Sequence, residues 1–277
     1  MGFLKTCEWL SAHLADVVVL DAGLVKPGVT TPYQPEAIIA GAKRFDISGA
    51  FNAFDSTLPN TMCGAAQFQA EARQLGICQQ DTIVVYDDLG LFSAARAWWM
   101  FKAMGFEQVY VLDGGLPRWL ELELPTTTEY AQVATLGDFV AHPQAGYFID
   151  KTAVLAAIDD PNTLLLDARG AKRFSGEEQE PRVGMRSGHV PNSKSLPYGQ
   201  ILGADGLVKS PEQLHALFSA LGVAKQNLQF SCGSGVTACV LAFAAQLSGF
   251  SQPMSVYDGS WAQWGGDASL PVATGAH

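Results

Sequence analysis

Charge is scarce in this 277-residue chain, at 16% of residues, and it leans acidic: 17 Lys and Arg stand against 27 Asp and Glu, a formal net charge of −10. That balance lacks the basic field needed to track nucleic-acid phosphates or to dock on anionic membrane surfaces, so neither partner is expected. Cysteine is sparse and unpatterned. The five residues Cys7, Cys63, Cys78, Cys232 and Cys239 form no CxxC and no cluster with the five histidines. An odd count without ligand-like spacing excludes a disulfide framework and a structural zinc site, and no metal or other cofactor is expected. Long apolar runs are missing as well. Lys5, Glu8 and Asp16 interrupt each apolar stretch near Met1, so no signal-peptide core is present and a cytoplasmic setting is expected. The longest uncharged stretch, residues 226–257, carries Asn227, Gln229, Gln246 and Gln252, and its strongly apolar centre, Val236–Leu247, is too short to span a bilayer.

Apolar residues nonetheless make up 48% of the chain, enough for packed cores, and the length suits two domains of ordinary size. The chain also repeats itself at a spacing of about 145 residues. The block from Val18 to Ala22 (VVLDA) returns as Leu164 to Ala168 (LLLDA), and Phe68–Ile77 returns as Leu214–Val223. Thr82–Phe106 returns as Asn227–Phe250, and VLDG at Val111–Gly114 returns as VYDG at Val256–Gly259. Four blocks in one order at one spacing indicate a duplicated scaffold.

Within each half, short β-branched runs alternate with helical segments, the pattern of an α/β fold with a mainly parallel sheet flanked by helices. Strands are expected at Val17–Leu20, Ile83–Tyr86 and Val109–Leu112, and again at Leu164–Leu166, Leu228–Ser231 and Ser255–Tyr257. Ser210-Pro211-Glu212-Gln213 predicts a capped helix running to about Leu221. Val236–Ser248 is apolar all round and is expected to be a buried helix. The expected organisation is an N-terminal domain over 1–125, a linker over 126–147 containing three consecutive threonines, and a C-terminal domain over 148–277.

A duplicated fold carries its own control, because a functional site in one copy shows as a departure from the other. After the strand Ile83–Tyr86 the first half continues Asp87-Asp88-Leu89-Gly90; after Leu228–Ser231 the second continues Cys232-Gly233-Ser234-Gly235-Val236-Thr237. One copy presents a carboxylate and the other a thiol. A small-residue turn running from a strand into a buried helix lets backbone N–H groups converge, and the helix N-terminus adds partial positive charge; both favour the nucleophilic thiolate. Cys239 falls inside the apolar helix, and it is read with Cys7, Cys63 and Cys78 as structural. Phosphoryl transfer from such a cradle needs an Arg six positions after the Cys to clamp phosphoryl oxygens, and that position is Ala238. Six of the seventeen cations, Arg169, Lys172, Arg173, Arg182, Arg186 and Lys194, crowd into one segment, a local positive patch in an acidic chain.

The loop CGSGVTA, the two-fold repeat, the VLDGG and VYDGS turns and the stretch RFSGEEQEPRVGMRSGHVP together resemble the tandem rhodanese-domain sulfurtransferases, most closely those that use 3-mercaptopyruvate. The resemblance covers nearly the whole chain and implies two tandem rhodanese-like domains, the second catalytic. It implies a Cys232 persulfide, with Gly233, Gly235, Val236 and Thr237 forming the loop around the substrate. It further implies that Arg173 and Arg182 hold the carboxylate and keto oxygens of the donor, a task suited to permanently charged, bidentate groups. In the family the serine of the loop, here Ser234, is linked to an Asp and a His. Asp46 matches the Asp, whereas Thr61 stands at the His position, a departure from the pattern. His189 in the GHVP turn is read as a brace of that turn. The implied partners are a small anionic sulfur donor and a thiol, thioredoxin-like or cyanide acceptor. The alternatives are a thiosulfate sulfurtransferase using the same cysteine, for which the loop lacks the usual basic side chains, and a sulfur-carrier or interaction module with weak turnover.

Overall fold

The β-branched runs of both halves form strands that pair side by side in two all-parallel sheets. The computed structural model describes residues 2–275. In the first half the elements are β1 (Leu4–Lys5), α1 (Cys7–His13), β2 (Val18–Asp21), β3 (Ile38–Ile39), β4 (Lys43–Arg44), α2 (Ala65–Gln74), β5 (Ile83–Tyr86), α3 (Ala94–Ala103), β6 (Val109–Leu112), α4 (Gly115–Glu121) and β7 (Thr126–Thr127). The second half contains β8 (Phe148–Ile149), α5 (Lys151–Ala157), β9 (Thr163–Asp167), α6 (Ala171–Ser175), β10 (Lys194–Ser195), a single 3-10 turn at Tyr198–Ile201, α7 (Pro211–Ala220), β11 (Asn227–Ser231), α8 (Ala238–Leu247), β12 (Met254–Tyr257) and α9 (Ser260–Trp264).

Read from one edge, the sheets run β4-β2-β5-β6-β1 and β10-β9-β11-β12-β8, the same order of equivalent strands. Finer bonds repeat too. Ala22 N–H donates to Tyr86 O at 2.9 Å, as Ala168 does to Ser231 O at 2.8 Å. Lys43 Nζ donates to Leu75 O and Lys194 Nζ to Leu221 O, each at 2.7 Å. Trp119 and Trp264, both buried, donate their indole N–H groups to Pro125 O and Pro271 O. The duplication read from the sequence is therefore reproduced down to individual bonds.

The chain divides into two compact units. The first takes residues 1–56, 62–145 and 204–208; the second takes 57–61, 146–203 and 209–277. Of residues 126–147, read from the sequence as a linker, 126–145 are bonded into the first unit and 146–147 belong to the second. Thr126 and Thr127 pair with Ile39 and Ile38, Phe139 is fully buried, and backbone donors of Gly137, Phe139 and His142 reach Arg73, Ile77 and Met104. The absence of a polar/apolar period there reflects an irregular strap that satisfies its backbone groups locally. In the second unit Ser210 and Gln213 form the reciprocal capping box that starts α7. Residues 238–245 of α8 are all buried, as expected for a helix apolar on every side. Phe92, Trp98, Trp99 and Phe101 are core residues of the first unit, together with a fully buried Arg96. Among the described residues no helix is long and apolar enough to cross a membrane.

The turn after β5 shows what this scaffold does at a strand end. Asp87 is fully buried, and its Oδ2 accepts the N–H groups of Phe92, Ser93 and Ala94, each at 2.8 Å, while Oδ1 accepts that of Leu89 at 2.9 Å. Four backbone donors thus converge on one carboxylate at the start of α3. Removing it in Asp87→Ala strands those donors in the core, and we expect a loss of about 3 kcal/mol or more, read as a lowered urea midpoint of the whole chain.

Candidate functional site

In the second unit Cys232 occupies the position that Asp87 holds in the first. The equivalence is visible in the backbone: Leu116 N–H donates to Asp87 O at 3.0 Å and Trp261 N–H donates to Cys232 O at 2.9 Å. Cys232 lies at the C-terminal end of the central strand β11, followed by the Gly233–Thr237 turn that enters α8. It is 1% exposed. Its N–H donates to Ser260 Oγ at 3.1 Å, and Ala262 N–H donates to Gly233 O at 2.9 Å, which pins the turn against the start of α9. Of the other loop residues, Val236 is buried and Ser234 and Thr237 nearly so. Cys239 bonds back to Gly235 O within the helix start, consistent with a structural cysteine.

Two guanidinium groups stand over Gly233. A Cβ built at that glycine would lie 3.4 Å from Arg173 Nη2 and 3.5 Å from Arg182 Nη1, ordinary contact distances that put both groups against the turn. Arg182 donates to Gly233 O at 3.4 Å and pairs with no carboxylate among the described residues. Burial pulls its pKa down from the ordinary value, Arg173 adds to that effect, and the nearby Cys232 and Glu180 oppose it. A guanidinium keeps its charge through any such shift, so Arg182 is a half-buried cation beside a thiol with its counter-ion place open. Arg173 is held differently, with Nε on Glu180 Oε1 at 3.1 Å and Nη2 on Glu180 Oε2. One edge of its guanidinium is fixed, which orients the other.

Glu180 is itself anchored. Arg169, 2% exposed, donates to Glu180 at 2.8 Å, to both oxygens of Asp167 at 2.7–3.1 Å and to Gly188 O at 2.8 Å, and its guanidinium lies 4.2 Å over the Trp261 ring. Burial works against the Arg169 charge, but Asp167 and Glu180 outweigh it and hold its pKa above the ordinary value. The cationic segment is therefore less of a patch than its composition suggests. Arg186 donates to the carbonyls of Trp264, Gly265, Asp267 and Leu270, and Lys194 to Leu221 O. Arg169, Arg186 and Lys194 are tied to the fold and Lys172 is exposed, leaving Arg173 and Arg182 near the turn that follows Cys232.

Ser234 Oγ accepts a hydrogen bond from Asn60 Nδ2 at 3.0 Å. Asn60 is 7% exposed and has φ of 59°, a left-handed conformation that Asn tolerates better than most residues. The neighbouring Thr61 donates to Leu58 O at 3.1 Å. The Pro-Asn pair at Pro59–Asn60 is a turn signal in the sequence, but nothing local says that its amide reaches a serine 174 positions away. Asp46 belongs to the first unit. There it accepts from Ser48 Oγ and Gly49 N–H, each at 3.2 Å, and lies 3.6 Å from Arg44, the bonds of a turn brace. His189 is buried, stacks on Phe174 at 3.8 Å and bonds Phe174 O at 2.8 Å, as a turn-bracing histidine does.

The Rhodanese-like domain family matches this chain twice, at residues 29–122 and 150–267. The chain is 36% identical over 274 residues to the 3-mercaptopyruvate sulfurtransferase of Escherichia coli (strain K12), covering 96% of this chain and 95% of that protein. It is 34% identical to thiosulfate/3-mercaptopyruvate sulfurtransferase 1, mitochondrial, of Arabidopsis thaliana, over 96% of this chain and 76% of that one. A crystal structure of an E. coli 3-mercaptopyruvate sulfotransferase superposes with a TM-score of 0.84 at 32% identity, covering 94% of this chain and 99% of the other.

The arrangement around Glu180 makes a prediction. Arg169→Ala leaves Asp167 buried without its cation and Glu180 with Arg173 alone, a change that costs about 3–5 kcal/mol. We expect a correspondingly lowered urea midpoint, and weaker binding of small anions because Glu180, the partner that orients Arg173, loses its anchor.

Proposed function

The chain belongs to the rhodanese family as a tandem two-domain member related to the 3-mercaptopyruvate sulfurtransferases, and from that premise we propose that it moves sulfur from 3-mercaptopyruvate through Cys232 to a thiol acceptor. The observation that carries this reading is that Arg182, a cation with no carboxylate partner among the described residues, reaches in from the segment between α6 and β10 to Gly233 O, in the turn that begins at Cys232. The donor is a small anion that needs its carboxylate held and its sulfur presented to a nucleophile. Arg182 and the unengaged edge of Arg173 hold the carboxylate and keto oxygens by charge-assisted bonds.

The first half-reaction balances without an outside proton. Cys232 thiolate attacks the donor sulfur, an S–S bond forms, the C–S bond breaks, and its electron pair leaves on pyruvate enolate. The proton that the enolate needs is the one the donor thiol carried. Ser234, fixed at its oxygen by the Asn60 amide, keeps its own proton free to give to the enolate while it takes up the sulfhydryl proton. An amide anchor suffices because the relay gains and loses no net proton. The negative charge then rests on the outer sulfur of the Cys232 persulfide. That sulfur is received by the turn 233–237, the counterpart of the turn whose N–H groups surround Asp87 in the first unit. In the second half-reaction an acceptor thiolate, from a small thiol or a thioredoxin-like protein, attacks the outer sulfur and Cys232 thiolate leaves; cyanide as acceptor yields thiocyanate. Covalent catalysis divides one difficult transfer into two easier ones. Free cysteines throughout the chain suit a reducing compartment such as the cytoplasm.

A thiosulfate donor is the second reading, favoured by the same unpaired Arg182, which can meet a dianion equally well. Steady-state kinetics separate the two. Cys232→Ser should abolish pyruvate release. Arg173→Ala should lower kcat/KM for 3-mercaptopyruvate by about 10–100-fold, the worth of a charge-assisted pair, with a much smaller effect on thiosulfate, whereas Arg182→Ala should lower it for both donors. Equal losses for both donors in Arg173→Ala contradict recognition of the keto acid, and the absence of turnover with either donor contradicts an enzyme and favours a sulfur-binding module.

A further inference from the structure

The turns that follow β6 and β12 share their Asp-Gly start and part at the third residue. The first unit reads Asp113-Gly114-Gly115-Leu116 and the second Asp258-Gly259-Ser260-Trp261. Gly115 has φ of 52°, a conformation that strains a side chain, and a Cβ there would lie 2.5 Å from Asp87 O. Ser260 keeps the same left-handed backbone, at φ of 46°, yet carries a side chain that is completely buried. A non-glycine residue retained in such a conformation needs a return for the strain.

The return is visible at its hydroxyl. Ser260 Oγ accepts the N–H of Cys232 at 3.1 Å, donates to Tyr257 O at 2.8 Å, and lies 4.0 Å from Cys232 Sγ. We propose that Ser260 is a positioning residue for Cys232 whose single proton switches between Tyr257 O and the cysteine sulfur. The bond from Cys232 N–H fixes the oxygen. Rotation about the Cβ–Oγ bond alone then turns the hydroxyl proton toward the sulfur when it is a thiolate. When the persulfide carries its charge on the outer sulfur, the inner sulfur is neutral and the proton returns to the Tyr257 carbonyl. Ser260 therefore stabilises Cys232 both as attacking thiolate and, in the second half-reaction, as the leaving group, and a better-stabilised thiolate leaves faster. The first copy, whose carboxylate is satisfied by four backbone donors, has no use for such a group and has glycine.

This inference rests on the sulfur-transfer reading, and its test has a readout that does not need turnover. Ser260→Gly removes the hydroxyl and the strained side chain together; Ser260→Ala removes only the hydroxyl. In the full-length chain, iodoacetamide labelling of Cys232 is followed against pH by peptide mass, with no sulfur donor present, and persulfide transfer to a thiol is followed after loading with 3-mercaptopyruvate. We expect Ser260→Gly to fold with thermal stability at or above that of the parent. Its labelling profile should move to higher pH by about one unit, and transfer from the loaded persulfide should slow about tenfold at unchanged KM for the donor. Ser260→Ala should show the same labelling and transfer changes with lower thermal stability. Parental labelling and transfer in either folded variant overturn the proposal, and failure of both variants to fold overturns it too, by showing that the hydroxyl serves the fold. Loss of sulfur transfer in the parent itself contradicts the sulfur-transfer reading, whereas the labelling comparison still tests Ser260.

Discussion

Backbone N–H groups that converge at the end of a central parallel strand need a negative charge, and the two copies of this fold meet that demand differently. In the first unit Asp87 supplies a carboxylate, bonded by Leu89, Phe92, Ser93 and Ala94, and the turn is closed as a piece of core. In the second, the same strand end carries Cys232, followed by small residues in place of Asp88 and Leu89. On the proposed reading the negative charge arrives with the reaction, as thiolate and then as persulfide, so the turn works as a charge-accepting device rather than as a fixed structural knot.

The cations around this turn form a hierarchy of restraint. Asp167, at the end of β9, holds Arg169; Arg169 holds Glu180; Glu180 holds one edge of Arg173. Each step buries charge that breaking the chain would leave uncompensated, which makes the arrangement stiff. Arg182 stands outside it, half-buried and bonded to a backbone carbonyl, with no carboxylate partner among the described residues. On the proposed reading the contrast is functional: a rigid set of pairs presents one guanidinium edge at a fixed angle, and a second guanidinium is left to complete its coordination with a ligand.

Much of this was legible in the sequence because duplication supplies a comparison within one chain. The strands at Ile83–Tyr86 and Val109–Leu112 fall at the expected residues, and β9, β11 and β12 contain their expected cores. The capping box at Ser210 and the buried helix after Thr237 followed from local chemistry alone. What stayed hidden depends on long-range contact. Six clustered cations read as a patch, but whether Arg186 meets solvent or four carbonyls is decided by the chain around Trp264 and Leu270, far away in sequence. Asn60 reaching Ser234, where the eye falls on the neighbouring Thr61, is a matter of one residue's left-handed turn. The Gly115–Ser260 difference was written in the two turns, yet its meaning needed the hydroxyl's distance to Cys232.

The account stands on sulfur residing covalently on Cys232 between two half-reactions. Its most direct test is a single-turnover reaction of the full-length chain with 3-mercaptopyruvate and no acceptor, following pyruvate release and the mass of the Cys232 peptide together. The account predicts one equivalent of pyruvate and a mass gain of about 32 Da confined to that peptide, both erased on adding a thiol acceptor, as a persulfide intermediate requires. Pyruvate released without a mass gain, or a gain on Cys7, Cys63, Cys78 or Cys239, would contradict it.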